Sequence, residues 1–245
     1  MNKSIFFDTG SIILLIMIMI SIFFIYRMYQ SPVTGKNVLI GVYLYIFVAL
    51  LTIAYVGRIV ASMDIDFQAN SWKYILAFFV IACGGISLMT NSNFYLNHIG
   101  FLLLLLALSL TVGISFKYSN NIFQAVIITC IILAILTIFT FYSSEETMIK
   151  MSSWLPNLTS ILLCLICAQF IYIFFFSYNR AFGKILSISI IALFIFFVLS
   201  DTSRIILEAR MSQCRTQSCI NYPLKSSSLV LDYINIFINF LNFNR

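Results

Sequence analysis

Two aspartates stand where a hydrophobic chain should carry no charge. Asp201 closes the apolar run Phe197-Val-Leu-Ser-Asp201-Thr202, and Asp232 lies inside Leu229-Val-Leu-Asp232-Tyr-Ile-Asn235-Ile-Phe237. A carboxylate within a membrane span costs about 2.5 kcal/mol or more, so it marks a functional position and needs a partner. The expectation is that each acid is the other's partner. Close together they share a proton and titrate as a coupled pair, and their oxygens can hold a hard cation. Asp201 lies seven residues before Glu208, where its helix is expected to leave the membrane, roughly 10 Å away. Asp232 lies five residues after Ser227, where the next helix is expected to begin, roughly 8 Å away. The two helices leave and enter on one side, so the carboxylates come to similar depth. Asn235 and Asn239 follow Asp232 at i+3 and i+7, giving residues 227–243 one polar face. Such a face points into a bundle or a wet cavity rather than at lipid.

Other reactive side chains offer less. Arg204, at i+3 from Asp201 and i−4 from Glu208, can pair along its own helix surface or serve the acids. Cys214 and Cys219 flank Arg215-Thr-Gln-Ser218 in a polar loop and can bridge in an oxidising compartment, with free thiols as the alternative. Cys83, Cys130, Cys164 and Cys167 fall inside apolar runs and read as small buried hydrophobes. The Cys164-Leu-Ile-Cys167 spacing lies mid-helix without a second ligand pair, so zinc is not expected. His98 is the single histidine and sits at a span boundary, where it reads as an interfacial turn residue. Asp8-Thr9-Gly10 and Asp201-Thr202-Ser203 resemble aspartic-protease strings, but each borders a hydrophobic helix instead of the paired strand-rich lobes that chemistry needs. The Gly-x-Gly-Asp context of an intramembrane protease is also absent, since Leu199-Ser200 precedes Asp201. No nucleophile and base fall together, so an enzyme is not expected, and no cofactor.

The elements that would position these residues are membrane spans. The chain of 245 residues is 62% hydrophobic and 9% charged, with a mean hydropathy of +1.04. That is an integral membrane protein whose first partner is the lipid bilayer, with no room for an aqueous catalytic domain. The net charge of +6 comes from Lys and Arg scattered over loops as helix-flanking anchors, so nucleic acid is not an expected partner. Apolar runs fall at about 11–28, 38–60, 73–90, 96–116, 121–142, 155–178 and 183–206, each near the ~20 residues a crossing needs. The run at 227–243 is shorter, and a re-entrant placement is as open as a crossing. Trp72, Trp154 and several tyrosines near span ends read as interface anchors. Lys and Arg divide evenly between the two sides, leaving orientation open. Ser31-Pro32-Val-Thr-Gly35-Lys36 is a turn-rich linker. It separates residues 1–36, a signal-anchor-like helix and linker, from a membrane domain at 37–245.

The strings Phe197-Val-Leu-Ser-Asp201-Thr202-Ser-Arg-Ile-Ile-Leu-Glu208 and Leu229-Val-Leu-Asp232-Tyr-Ile-Asn235-Ile-Phe237 resemble the end of the Bax-inhibitor (lifeguard, Golgi anti-apoptotic) membrane family. There an Asp-Thr closes the sixth helix, and a Leu-x-Leu-Asp-x-Ile-Asn-Leu-Phe run forms the seventh. Val38 to Gly57 resembles the family's first helix, and Trp154-Leu-Pro156 the entry to its fifth. The resemblance implies an all-α, seven-helix Bax-inhibitor-like bundle with a central last helix, plus one extra N-terminal transmembrane helix. It also implies that Asp201 and Asp232 form a pH-sensitive latch on a calcium leak path. Calcium, transiently held, and protons would then be partners, along with apoptosis-regulating membrane proteins, in an endoplasmic reticulum or Golgi membrane, or a host membrane for a viral copy. The chain departs from the pattern in its extra first helix, its Cys214/Cys219 loop and Arg204 at a usually apolar position. Its 73–90 span also lacks the arginine that contacts the aspartate in some members. The other reading is a non-conducting scaffold that keeps the fold and binds partners through residues 1–36.

Overall fold

The computed structural model describes residues 9–63, 71–91, 93–118, 122–175, 180–211 and 216–243. Among these, regular structure is entirely helical: α1 (Thr9–Tyr29), α2 (Gly35–Ser62), α3 (Ser71–Met89), α4 (Phe94–Tyr118), α5 (Ile122–Tyr142), α6 (Glu145–Ser152), α7 (Leu155–Phe175), α8 (Arg180–Met211) and α9 (Tyr222–Phe243). A 3-10 turn at Gln217–Cys219 precedes α9. Among the described residues seven stretches are long and apolar enough to cross a bilayer: Ile12–Tyr29, Lys36–Ser62, Trp72–Met89, Phe94–Lys117, Gln124–Tyr142, Glu145–Ala168 and Ala181–Met211. The chain is an integral, multi-pass membrane protein, as its composition requires.

The helices sort into two compact units, Met1–Tyr118 with Ser212–Val230, and Ser119–Met211 with Leu231–Arg245. In the first unit α4 packs against both α2 and α3, and α1 packs against α2. Lipid tails are as apolar as leucine, so helices in a bilayer gain from dispersion at short range, which small residues permit. At the α3–α4 crossing a Cβ on Gly85 would lie 2.7 Å from the Gly100 carbonyl oxygen, and a Cβ on Gly100 would lie 2.7 Å from the Met89 nitrogen. Only glycine allows the two backbones to meet this closely. The α1–α2 linker is fixed by side chains: Thr34 accepts from the Asn37 amide at 3.2 Å, and Asn37 Nδ2 donates to the Pro32 carbonyl at 2.8 Å.

In the second unit α8 is the common element, with α5, α6 and α7 packed on it. Lys184 Nζ lies 5.4 Å over the Phe243 ring, joining the start of α8 to the end of α9. The short α6 has no counterpart among the expected spans, because it has only eight residues, of which Met148 and Met151 are buried. Local signals hold it. Ser144 accepts from the Thr147 amide at 3.3 Å, Glu145 and Glu146 occupy the first turn, and Lys150 pairs with Glu146 at 3.1 Å, as the helix dipole favours.

Two expectations need correction. The last helix does not begin at Ser227 but at Tyr222, so it has 22 residues, about 33 Å at 1.5 Å per residue. The serines at the expected start each bond back to their own helix: Ser226 to Tyr222 O at 2.7 Å, Ser227 to Leu224 O at 2.8 Å, Ser228 to Lys225 O at 3.3 Å. Asn221 caps the new start by accepting from the Leu224 amide at 3.0 Å, and Pro223 in the first turn forfeits no helical bond. Along α9 Leu224 is the one exposed residue among those whose burial is described, which suits the expected central last helix. Cys83, Cys130, Cys164 and Cys167 are free and exposed rather than buried in protein. They lie on spans whose outer surfaces face lipid, so hydrocarbon supplies the apolar surroundings that packing was expected to give.

Candidate functional site

Asp201 sits in the most enclosed turn of α8, where Ser200, Thr202 and Ser203 are all buried and the aspartate itself is 8% exposed. Asp232 on α9 is 5% exposed. The helix ends revise both depths. Asp201 precedes the end of α8 at Met211 by ten residues, and Asp232 follows the start of α9 at Tyr222 by ten, which is about 15 Å in each case. Each helix runs further than its apolar residues suggest, so both acids lie further from the helix ends than the roughly 10 Å and 8 Å expected. Both acids belong to the second unit.

Buried polar atoms that protein does not satisfy lie on α9, α8 and α5. Among the described residues Asp232 Oδ2, Thr202 Oγ1 and Thr129 Oγ1 are buried without a hydrogen-bond partner. Nearly every buried polar atom in a folded protein is paired, with protein, water or an ion. Acid and hydroxyl oxygens of this kind are hard ligands, suited to water, a proton or a hard cation. Among the described residues no group of three His, Cys, Asp or Glu side chains gathers as a metal site.

The remaining expected residues are placed as follows. Arg204 is exposed, and its Nε donates to Glu208 Oε1 at 2.8 Å along the surface of α8. Asn235 Nδ2 donates to Leu231 O at 2.8 Å and Asn239 Nδ2 to Asn235 O at 2.9 Å, so both amides turn back onto α9. Cys219 is disulfide-bonded; Cys214, its expected partner, lies outside the described residues, as does Asp8.

A second polar cluster, in the first unit, was not foreseen. His98 is no turn residue: it lies in the first turns of α4, with Nδ1 2.7 Å from the Phe94 carbonyl and Nε2 2.5 Å from the Tyr45 hydroxyl. A carbonyl only accepts, so in the neutral ring Nδ1 carries the proton and Nε2 accepts from Tyr45. Tyr45 has then spent its one proton, and Tyr29 must donate to it across their 3.1 Å contact. The rings of Tyr45 and Tyr222 stack at 5.8 Å, and Tyr29 meets Tyr222 edge-on at 5.7 Å. Tyr222 donates to Gln217 Oε1, and Gln217 Nε2 donates to the Pro32 carbonyl at 2.9 Å. A cavity of about 220 Å³ borders His98, Asn91, Asn97 and Asn221. The only sequence signal for this cluster was the tyrosines near span ends, which an interface-anchor role explains equally well.

Against known proteins, a family model described as "Inhibitor of apoptosis-promoting Bax1" matches residues 35–244. No curated protein and no solved structure matches the chain.

Proposed function

The chain belongs to the family of inhibitors of apoptosis-promoting Bax1, and from that premise we propose that it acts in calcium homeostasis as a pH-sensitive leak gated by Asp201 and Asp232. The observation that carries the reading is the buried Asp232 Oδ2, which has no donor, in the unit that also holds Asp201. A buried carboxylate in that condition is completed by a proton or by a cation. With one proton between them, two neighbouring carboxyls hydrogen-bond and close on each other. Without it they repel, or are bridged by a hard cation through their oxygens. Calcium is the cargo, and proton and calcium compete for the same oxygens. Suppression of cell death in an endoplasmic reticulum or Golgi membrane is the physiological setting that fits a leak of stored calcium.

The test is calcium flux into vesicles reconstituted with the purified chain, between pH 5 and pH 8. Wild-type flux should change by about tenfold across the range, the span of one pH unit of titration. Asp201→Asn and Asp232→Asn should each flatten that dependence to within about twofold, since the remaining acid has no partner with which to share a proton. An absence of flux in wild type and both variants at every pH sinks the proposal.

A further inference from the structure

The N-terminal helix precedes the residues that match the family, 35–244, yet it reaches the first residue of α9. Tyr222 is completely buried. Its ring is boxed by Tyr29 of α1 and Tyr45 of α2. The floor of the box is Gly41, where a Cβ would overlap both the Met28 sulfur and the Tyr222 ring. Its hydroxyl is held by Gln217, which in turn holds the α1–α2 linker at Pro32 and, at 3.5 Å, at Ser31. Aromatic stacking and buried hydrogen bonds thus fix this one side chain from three directions. Tyr222 begins the helix that carries Asp232 ten residues on. A helix is stiff along its axis, so a fixed first residue sets the height and rotation of the rest.

We propose that α1 and its linker form a built-in holder for α9, with Tyr222 as the positioning residue for Asp232. The holder is assembled from Met28, Tyr29, Ser31 and Pro32 on one side and Gln217 and Tyr222 on the other. Its link to calcium flux rests on the leak reading above, but the anchoring itself does not.

Hydrogen exchange on the full-length chain in lipid nanodiscs separates the two. Tyr222→Phe removes the bond to Gln217 and keeps the ring, so the fold should survive; Gln217→Leu removes both of that side chain's links. Each should raise exchange roughly tenfold in the linker and along α9 as far as Asp232, while α5 and α7 keep wild-type protection. A general loss of stability would instead raise exchange in α5 and α7 as well, and that result overturns the proposal. So does an increase confined to residues 216–222, or no change. In the flux assay Tyr222→Phe should alter calcium entry at least twofold at fixed pH; a conducting wild type with an indifferent variant also overturns the positioning role. A wild type that does not conduct defeats the leak reading alone, and the exchange pattern then decides whether α1 holds α9.

Discussion

The two buried polar clusters differ in how their atoms are used. Around Tyr222 the hydroxyls of Tyr29, Tyr45 and Tyr222, both nitrogens of His98 and both ends of the Gln217 amide have partners. In the second unit one carboxylate oxygen of Asp232 and the hydroxyls of Thr202 and Thr129 have none. A saturated network rigidifies the elements that meet in it, whereas buried oxygens that protein leaves unpaired are open to a proton, a water or an ion. The first cluster is therefore where this molecule keeps its shape, and the second is where the proposed leak would take its proton or cation.

Substitutions that treat the clusters alike should not have like effects. Gly41→Val forces a branched side chain into the Met28 sulfur and the Tyr222 ring and should destabilise by about 3 kcal/mol, the upper range for overpacking, read as thermal unfolding in detergent. Gln217→Ala strands the buried Tyr222 hydroxyl and the Pro32 carbonyl and should cost about 2 kcal/mol. Asp232→Asn, at a buried site, should cost nothing or stabilise by about 1 kcal/mol, because it removes a buried charge one of whose oxygens has no protein donor. A loss for Asp232→Asn equal to that for Gln217→Ala would erase the contrast. The smallest effect belongs to Arg204→Ala. Its pair with Glu208 has side chains 58% and 37% exposed, so about 0.4 kcal/mol is expected, fading in high salt.

Some of this was legible in the sequence and some was not, for physical reasons. Long apolar runs announce themselves, so the seven spans were found, and buried acids in such runs are conspicuous by their cost. Which faces meet was not legible. A helix apolar all round carries no stripe to mark its packing side, and this applies to α4 and α5, whose partners were invisible in the chain. The Tyr45–His98–Tyr222 meeting joins residues from three separate elements, with no periodicity connecting them. Polar residues misled where they bonded inward: Ser226, Ser227 and Ser228 satisfy themselves on their own helix, which hid the true start of α9. Arg204 had two open roles in the sequence, and the helical spacing to Glu208 accounts for the one that forms.

The exposed cysteines have a practical consequence. A membrane-impermeant maleimide reaches thiols from water, and not those on a surface turned to hydrocarbon. Cys83, Cys130, Cys164 and Cys167 are free on span surfaces, and Cys219 is already oxidised. The cysteines of the described residues should accordingly be almost silent to a membrane-impermeant maleimide. A single reporter thiol added in any aqueous loop would then reveal which side of the bilayer that loop occupies, supplying the sidedness that the balanced Lys and Arg withhold.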